Sequence, residues 1–443
     1  MTAPEPRLTS FDTAMVVVSL VIGIGIFRTP ALVAGAAGSP ARFLAAWAIG
    51  GVVSLVGALV FAEIGSRYPR AGGFYKVVAH CWNPMLAFLL NWAQVLMQGA
   101  GAAGVATIGA EYLLRLTGST APQGRTTLLV AAVLIAGMTG LNAAGIRSGA
   151  RAQVILSLAK IVLILGLAVA GLAAAGPRPA PAEGSAPASS PDAVPAGMLT
   201  ALVAVFYTYG GYQNTMNLAG DVRDPRRGLP WGICVGMVIV MAIYLVINTA
   251  YLHALGAPAI AGSPLVAADL ARAALGRWGE QLVSLAIFLS AAGFVNATIL
   301  HVPRGYLAMS QDRLLPQALG RLSAGTQAQL TGLLFFAVTA LVPLCLLGAF
   351  DKLLAYVMFT DALSLAALAS CIFILRRRGE GDTLGDAWRM PGYPWLPALF
   401  VLALLGIAAD VLLRQTLLAL GGVAIVVAGV PLYFVMRRSL AES

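Results

Sequence analysis

Apolar residues in this chain run in long blocks, separated by short polar stretches that carry Pro, Gly and charge. The blocks fall at roughly 12–37, 43–67, 84–116, 125–143, 149–175, 197–220, 228–254, 279–309, 327–348, 351–375, 395–413 and 416–436. Most are close to the roughly 20 residues that a helix needs to cross a hydrocarbon core about 30 Å thick. They predict an all-α integral membrane protein with about twelve transmembrane helices.

Composition leads to the same class. Of the 443 residues, 59% are hydrophobic and 10% charged, and mean hydropathy is +0.85. Soluble domains carry roughly 25% charged residues. A soluble surface could not be covered by so few polar groups, so lipid is the expected solvent and partner. The start, Met1 to Ser10, is polar, and the block after it is too long for a signal-peptide core, so the first helix is expected to be retained.

The formal charge of +10 raises nucleic acid as a partner, but the basic residues are placed for topology instead. Arg28 and Lys160 fall well inside blocks, and 18 of the remaining 26 lie on or beside one set of alternating loops and termini. By the positive-inside rule that side is cytoplasmic, which puts both termini inside a bacterial-type inner membrane. The four cysteines (Cys81, Cys234, Cys345, Cys371) have no metal-ligand spacing and read as small buried hydrophobes. Three scattered histidines and no nucleophile constellation argue against an enzyme, and no cofactor or metal is expected.

The low-complexity stretch Pro177 to Pro195 reads as an outer linker between the fifth and sixth spans. It divides one transmembrane domain, 1–443, into sets of five spans over 11–175 and 197–378, with two additional helices over 393–437. Five is odd, so the second set is inverted relative to the first, as in many secondary transporters. Glycines mark corresponding places: Gly23-Ile24-Gly25 interrupts the first span and Gly210-Gly211 the sixth, and Pro30 follows the first break. Helices 1 and 6 are therefore expected to be unwound.

Unwound backbone at membrane depth is tolerated only beside a cavity or a buried ligand. Amide N–H groups at the start of the outer half-helix suit a carboxylate, and free carbonyls at the end of the inner half suit an ammonium. A zwitterion is the natural guest of Val21–Phe27 facing Phe206–Tyr212. Lys160 lies well inside an apolar span, where a cation is expensive and a functional role is the default reading. Structural support of the first and eighth spans is the alternative. Glu63 and Glu111, near span ends, read as solvated or capped carboxylates, whereas Asp361 is deeper and a weaker transport candidate.

These residues resemble the amino acid–polyamine–organocation superfamily. Gly23-Ile24-Gly25-Ile26-Phe27 with Pro30 is similar to its first-helix motif. In order along the chain, 61–75, 142–160, 207–230 and 296–316 are similar to its second-helix, fourth-to-fifth, sixth-helix and eighth-helix regions. The resemblance spans residues 8–438 and is nearest the L-type amino-acid transporter branch, through the Gly-Gly-aromatic break and Ala110 to Leu113. It implies a LeuT-like 5+5 fold and a substrate site formed by Val21, Ile22, Gly23, Ile24, Gly25, Ile26, Phe206, Tyr207, Thr208, Tyr209 and Gly210.

Carboxylate is expected on the amides of Ile24, Gly25 and Ile26, and ammonium on the carbonyls of Val21, Tyr207 and Gly210. Tyr207 takes the position of the aromatic gate, and Tyr209 and Tyr212 are further cavity candidates. Lys160 is expected to stand where sodium-coupled relatives hold a cation, which makes it the coupling residue and open to proton exchange. Two departures bear on the substrate. Ile24 replaces a serine, and Arg28 adds a cation beyond the break, for an outer vestibule or for snorkelling and packing.

The expected function is Na⁺-independent secondary transport of amino acids, neutral ones favoured because no acidic cluster is evident, by exchange or H⁺ symport. A polyamine or cationic amino-acid carrier of the same fold is the alternative, and a channel or membrane sensor a weaker one. The outer loop 116–124 contains no cysteine, so no disulfide-linked heavy subunit is expected.

Overall fold

The computed structural model describes residues 9–69, 73–117, 124–144, 146–174, 176, 193–222, 224, 226–311, 314–321, 323, 328–347, 350–381, 388–414 and 416–441. Among them every regular element is helical. The linker residues 177–192, Arg313, and the side chains of Asp221, His301 and Arg304 lie outside that description.

The first segment is two helices, α1 (Ser10–Val21) and α2 (Gly25–Ala37). Then come α3 (Pro40–Arg67), a short α4 (Gly73–Cys81), α5 (Pro84–Arg115), α6 (Arg125–Ala143) and α7 (Ile146–Ala173). The sixth segment is α8 (Ala193–Thr208) followed by a 3₁₀ stretch, Tyr212–Asp221. The remainder is α9 (Gly228–Leu255), α10 (Ala257–Gly262), α11 (Val266–Gln311), α12 (Leu330–Leu347), α13 (Phe350–Arg377), α14 (Trp395–Arg414) and α15 (Thr416–Ala441). Helix occupies each of the twelve apolar blocks. Seven of the described helices are long and apolar enough to cross a membrane by themselves, and 160–173 and 330–346 are shorter apolar helices.

Local sequence accounts for the helix starts. Thr9 and Asp12 form a reciprocal capping box on α1. Ser39 before Pro40 and Asn83 before Pro84 cap α3 and α5, each with proline at the first helical position, where its missing N–H costs nothing. Gly276, at φ +72°, bends α11, so a short piece over 266–275 precedes the long helix. That piece and α10 lie outside the sequence blocks.

α5 is the central post, against which α6, α11, α12, α13 and α15 pack. α1 packs on α9, α2 on α8, and α7 on both α9 and α11. Beneath the breaks the core is aromatic: Trp47, Tyr209 and Tyr244 meet edge-on or tilted, with ring centres 5.0–6.1 Å apart. The outer faces of the bundle are apolar. Val133, Val162, Leu346, Leu413 and Leu417 are each at least 70% exposed, a surface that lipid, not water, accommodates.

Candidate functional site

At the first break, α1 ends when Ile22 leaves helical geometry (φ −68°, ψ +83°) and the Gly23 N–H donates to the Val21 carbonyl at 2.6 Å. This is an inverse γ-turn. α2 restarts at Gly25, so its first amides point back into the break without partners inside the helix. At the second break α8 stops at Thr208, Gly210 N–H donates to the Tyr207 carbonyl at 3.1 Å, and the chain turns through Gly211 at φ +121°. Only glycine fits Gly211. The left-handed angle disfavours a side chain, and a Cβ there would stand 2.6 Å from the Leu20 carbonyl oxygen.

The two breaks are tied together. The Tyr244 hydroxyl, from α9, lies 3.0 Å from the Val21 carbonyl and 3.4 Å from the Thr208 carbonyl. Thr208 Oγ1 bonds Thr29 Oγ1 at 2.8 Å, joining α8 to α2. Gly25 permits that approach, since a Cβ on it would sit 3.1 Å from Thr208 Cγ2.

Between the breaks lies a cavity of about 240 Å³. That is below the roughly 300–1,000 Å³ of drug-sized sites and suits a small metabolite. Of the predicted residues, Val21, Gly23, Ile24, Gly25, Tyr207, Thr208, Gly210 and Lys160 line it. Ile22, Ile26 and Phe206 are buried in the packed core and are absent from its wall. Tyr209 packs on Trp47 and Tyr244, and Tyr212 on Phe61, so neither ring faces the cavity. Tyr207 turns its hydroxyl to the Met358 carbonyl at 2.5 Å, which links α8 to α13 along the cavity wall. Lys160 is 5% exposed and shares that wall with Gly101 and Gly104 of α5 and Ala297 and Thr298 of α11.

The wall also contains polar groups that the sequence reading did not single out. Gln94 and Gln98 project from α5, Thr298 from α11, and Gln213 and Asn214 from the 3₁₀ stretch. The Gln213 Oε1 accepts the Gly211 N–H at 2.9 Å and helps hold the turn. Asp361 lines the cavity as well, with Gln94 Nε2 donating to its Oδ1 at 2.8 Å.

The other membrane carboxylates are elsewhere. Glu63 is fully buried and accepts from Arg67 Nε (2.6 Å), Arg376 Nε and Nη2 (2.7 Å each) and the Met390 N–H (2.8 Å). Of the two readings, solvated or capped, the structure shows the capped one: Glu63 is held by its donors, clamps α3 to α13 inside the protein and does not line the cavity. Glu111 is also buried and meets Arg28 at 3.4 Å, while Arg28 donates to the Pro264 carbonyl at 2.5 Å. Arg28 is thus engaged across α2, α5 and the segment before α11.

The sequence profile described as amino acid permease matches residues 8–431. The chain belongs to this family. The permease is 27% identical over 429 residues to the serine/threonine exchanger SteT of Bacillus subtilis, covering 96% of this chain and 95% of that protein. It is 27% identical to the human cystine/glutamate transporter over 436 residues, 97% of this chain and 84% of the other. To the human large neutral amino acids transporter small subunit 2 it is 25% identical over 435 residues, 95% of this chain and 78% of the other. The resemblance read from the sequence therefore holds. The permease is an all-α, multi-pass membrane transporter of amino acids in the L-type branch of the superfamily, not an enzyme.

Proposed function

We propose that the permease carries small neutral L-amino acids across a cytoplasmic membrane by Na⁺-independent alternating access, with both termini inside and two five-span sets related by inverted topology. The observation that carries this reading is that one cavity is bounded by both helix breaks and Lys160. A zwitterion matches the break chemistry. The unpartnered amides at the start of α2 suit its carboxylate. The Val21 carbonyl already faces two donors, from Gly23 and Tyr244, which leaves the Tyr207 and Gly210 carbonyls better placed for the ammonium.

The fixed cation of Lys160 supports sodium independence, because its ammonium supplies positive charge in the cavity wall without a metal ion. Exchange is favoured over proton symport by the similarity across nearly the full length to an exchanger, SteT. A cationic or polyamine substrate is disfavoured: among the described residues the wall holds one carboxylate, Asp361, and the Lys160 ammonium carries the same sign of charge as such a substrate.

Reconstituted protein tests the reading. Uptake of labelled amino acids should be stimulated by internal amino acid and indifferent to sodium and to a pH gradient. Uptake driven by an inward proton gradient alone would replace exchange with symport. Absence of uptake for every amino acid, by folded protein, would remove the substrate class.

A further inference from the structure

The break chemistry reads only what all amino acids share, a carboxylate and an ammonium. Something else in the cavity must read the side chain, and much of the wall offers no directional contact: Met97, Val105, Phe294 and Ala297 are apolar. Asp361 is different. It lies on α13 one helical turn beyond Met358, whose carbonyl holds the Tyr207 hydroxyl, so it sits beside the proposed gate. An ionised carboxylate has two oxygens and accepts up to about four hydrogen bonds. Gln94 occupies one position, on Oδ1. Among the described residues no lysine, arginine or histidine forms an ion pair with Asp361. The remaining acceptor positions are available to the cavity.

We propose that Asp361, oriented by Gln94, is the specificity-determining residue of this permease and selects neutral amino acids whose side chain carries a hydroxyl donor. The inference rests on the transport proposal above and deepens it. A substrate hydroxyl donates to Asp361 and replaces the water that the carboxylate loses as the cavity closes. An aliphatic side chain of the same shape leaves the acceptor unpaired, and that penalty is what discriminates between the two. Cationic side chains are refused for a separate reason. Lys160 and Asp361 line one small cavity, so a zwitterion leaves it electrically balanced, whereas a second ammonium adds net positive charge beside Lys160.

Competition against labelled uptake in proteoliposomes tests this, with threonine against valine and serine against alanine. Threonine and valine are near isosteres that differ by a hydroxyl in place of a methyl. In the wild type threonine should compete at least about tenfold more tightly than valine, the effect of one hydrogen bond to a charged group. Asp361→Asn should cut that ratio about tenfold by weakening threonine more than valine, whatever it does to maximal uptake. A wild type that takes up amino acids but treats valine and threonine alike, or prefers lysine or ornithine, overturns the proposal with no variant needed. So does Asp361→Asn with an unchanged ratio. A wild type that takes up no amino acid overturns the transport proposal itself, a distinct result.

Discussion

The Tyr244 hydroxyl donates to the Val21 carbonyl at 3.0 Å and stands 3.4 Å from that of Thr208, so one side chain of α9 serves the last turns of both α1 and α8. Where a helix is broken inside a bilayer its carbonyls need a substitute donor. Tyr244→Phe keeps the ring against Trp47 and Tyr209 and removes only that donor. The expected destabilisation is about 1 kcal/mol, the usual net value of one hydrogen bond. Thermal unfolding of the detergent-purified protein should report that loss, and uptake should fall further because the breaks form the cavity wall.

The glycines at the breaks are not equivalent, and an alanine series should separate them. At Gly23 a Cβ meets nothing nearer than 3.8 Å, so Gly23→Ala should fold and transport. Gly25→Ala presses on Thr208 and should weaken uptake with a modest loss of stability. Gly211→Ala meets both a left-handed φ and the Leu20 carbonyl, at a cost of at least about 1–3 kcal/mol, and should abolish transport. Gly140→Ala in α6, with open space around it, is the control and should be neutral or slightly stabilising.

Glu63→Gln tests the inner clamp. It leaves Arg67 and Arg376 buried or partly buried around a neutral amide. Breaking a buried ion pair by removing one partner costs about 3–5 kcal/mol. The expected result is a lower melting temperature and lower yield of folded protein. Glu63 does not line the cavity, so apparent substrate affinity in the fraction that folds should stay near that of the wild type.

Arg28 occupies the matching place near the other end, where it links α2 to Glu111 of α5 and to the Pro264 carbonyl. Arg28→Ala should loosen that end of the bundle and raise the reactivity of a cysteine introduced at Gln98 toward an impermeant thiol reagent. Unchanged reactivity would make Arg28 a packing residue alone.

Much of this was legible in the sequence. Helix occupies all twelve apolar blocks because block length depends only on membrane thickness, and the breaks at Gly23–Gly25 and Gly210–Gly211 are where paired glycines placed them. What stayed hidden is which side of each helix faces the cavity. α5 and α11 are apolar nearly all round, so no polar stripe marks an inward face, and Gln94, Gln98 and Thr298 look like any isolated polar residue. The cap on Glu63 was hidden for a related reason: its partner Arg376 is 313 residues away and reads locally as part of a basic topology signal. Tyr209 was drawn toward the site by its place beside Gly210, yet its ring turns to Trp47.

The most direct measurement is binding of a labelled small neutral L-amino acid to purified protein in sodium-free buffer, wild type against Gly101→Leu. Gly101 lines the cavity, and a Cβ there meets nothing within 4 Å, so a leucine side chain starts into open space and takes up cavity volume. Saturable binding to the wild type that is lost in Gly101→Leu, with unchanged melting temperature, is the predicted result. Equal binding by both proteins would place the substrate elsewhere and contradict the assignment of this cavity.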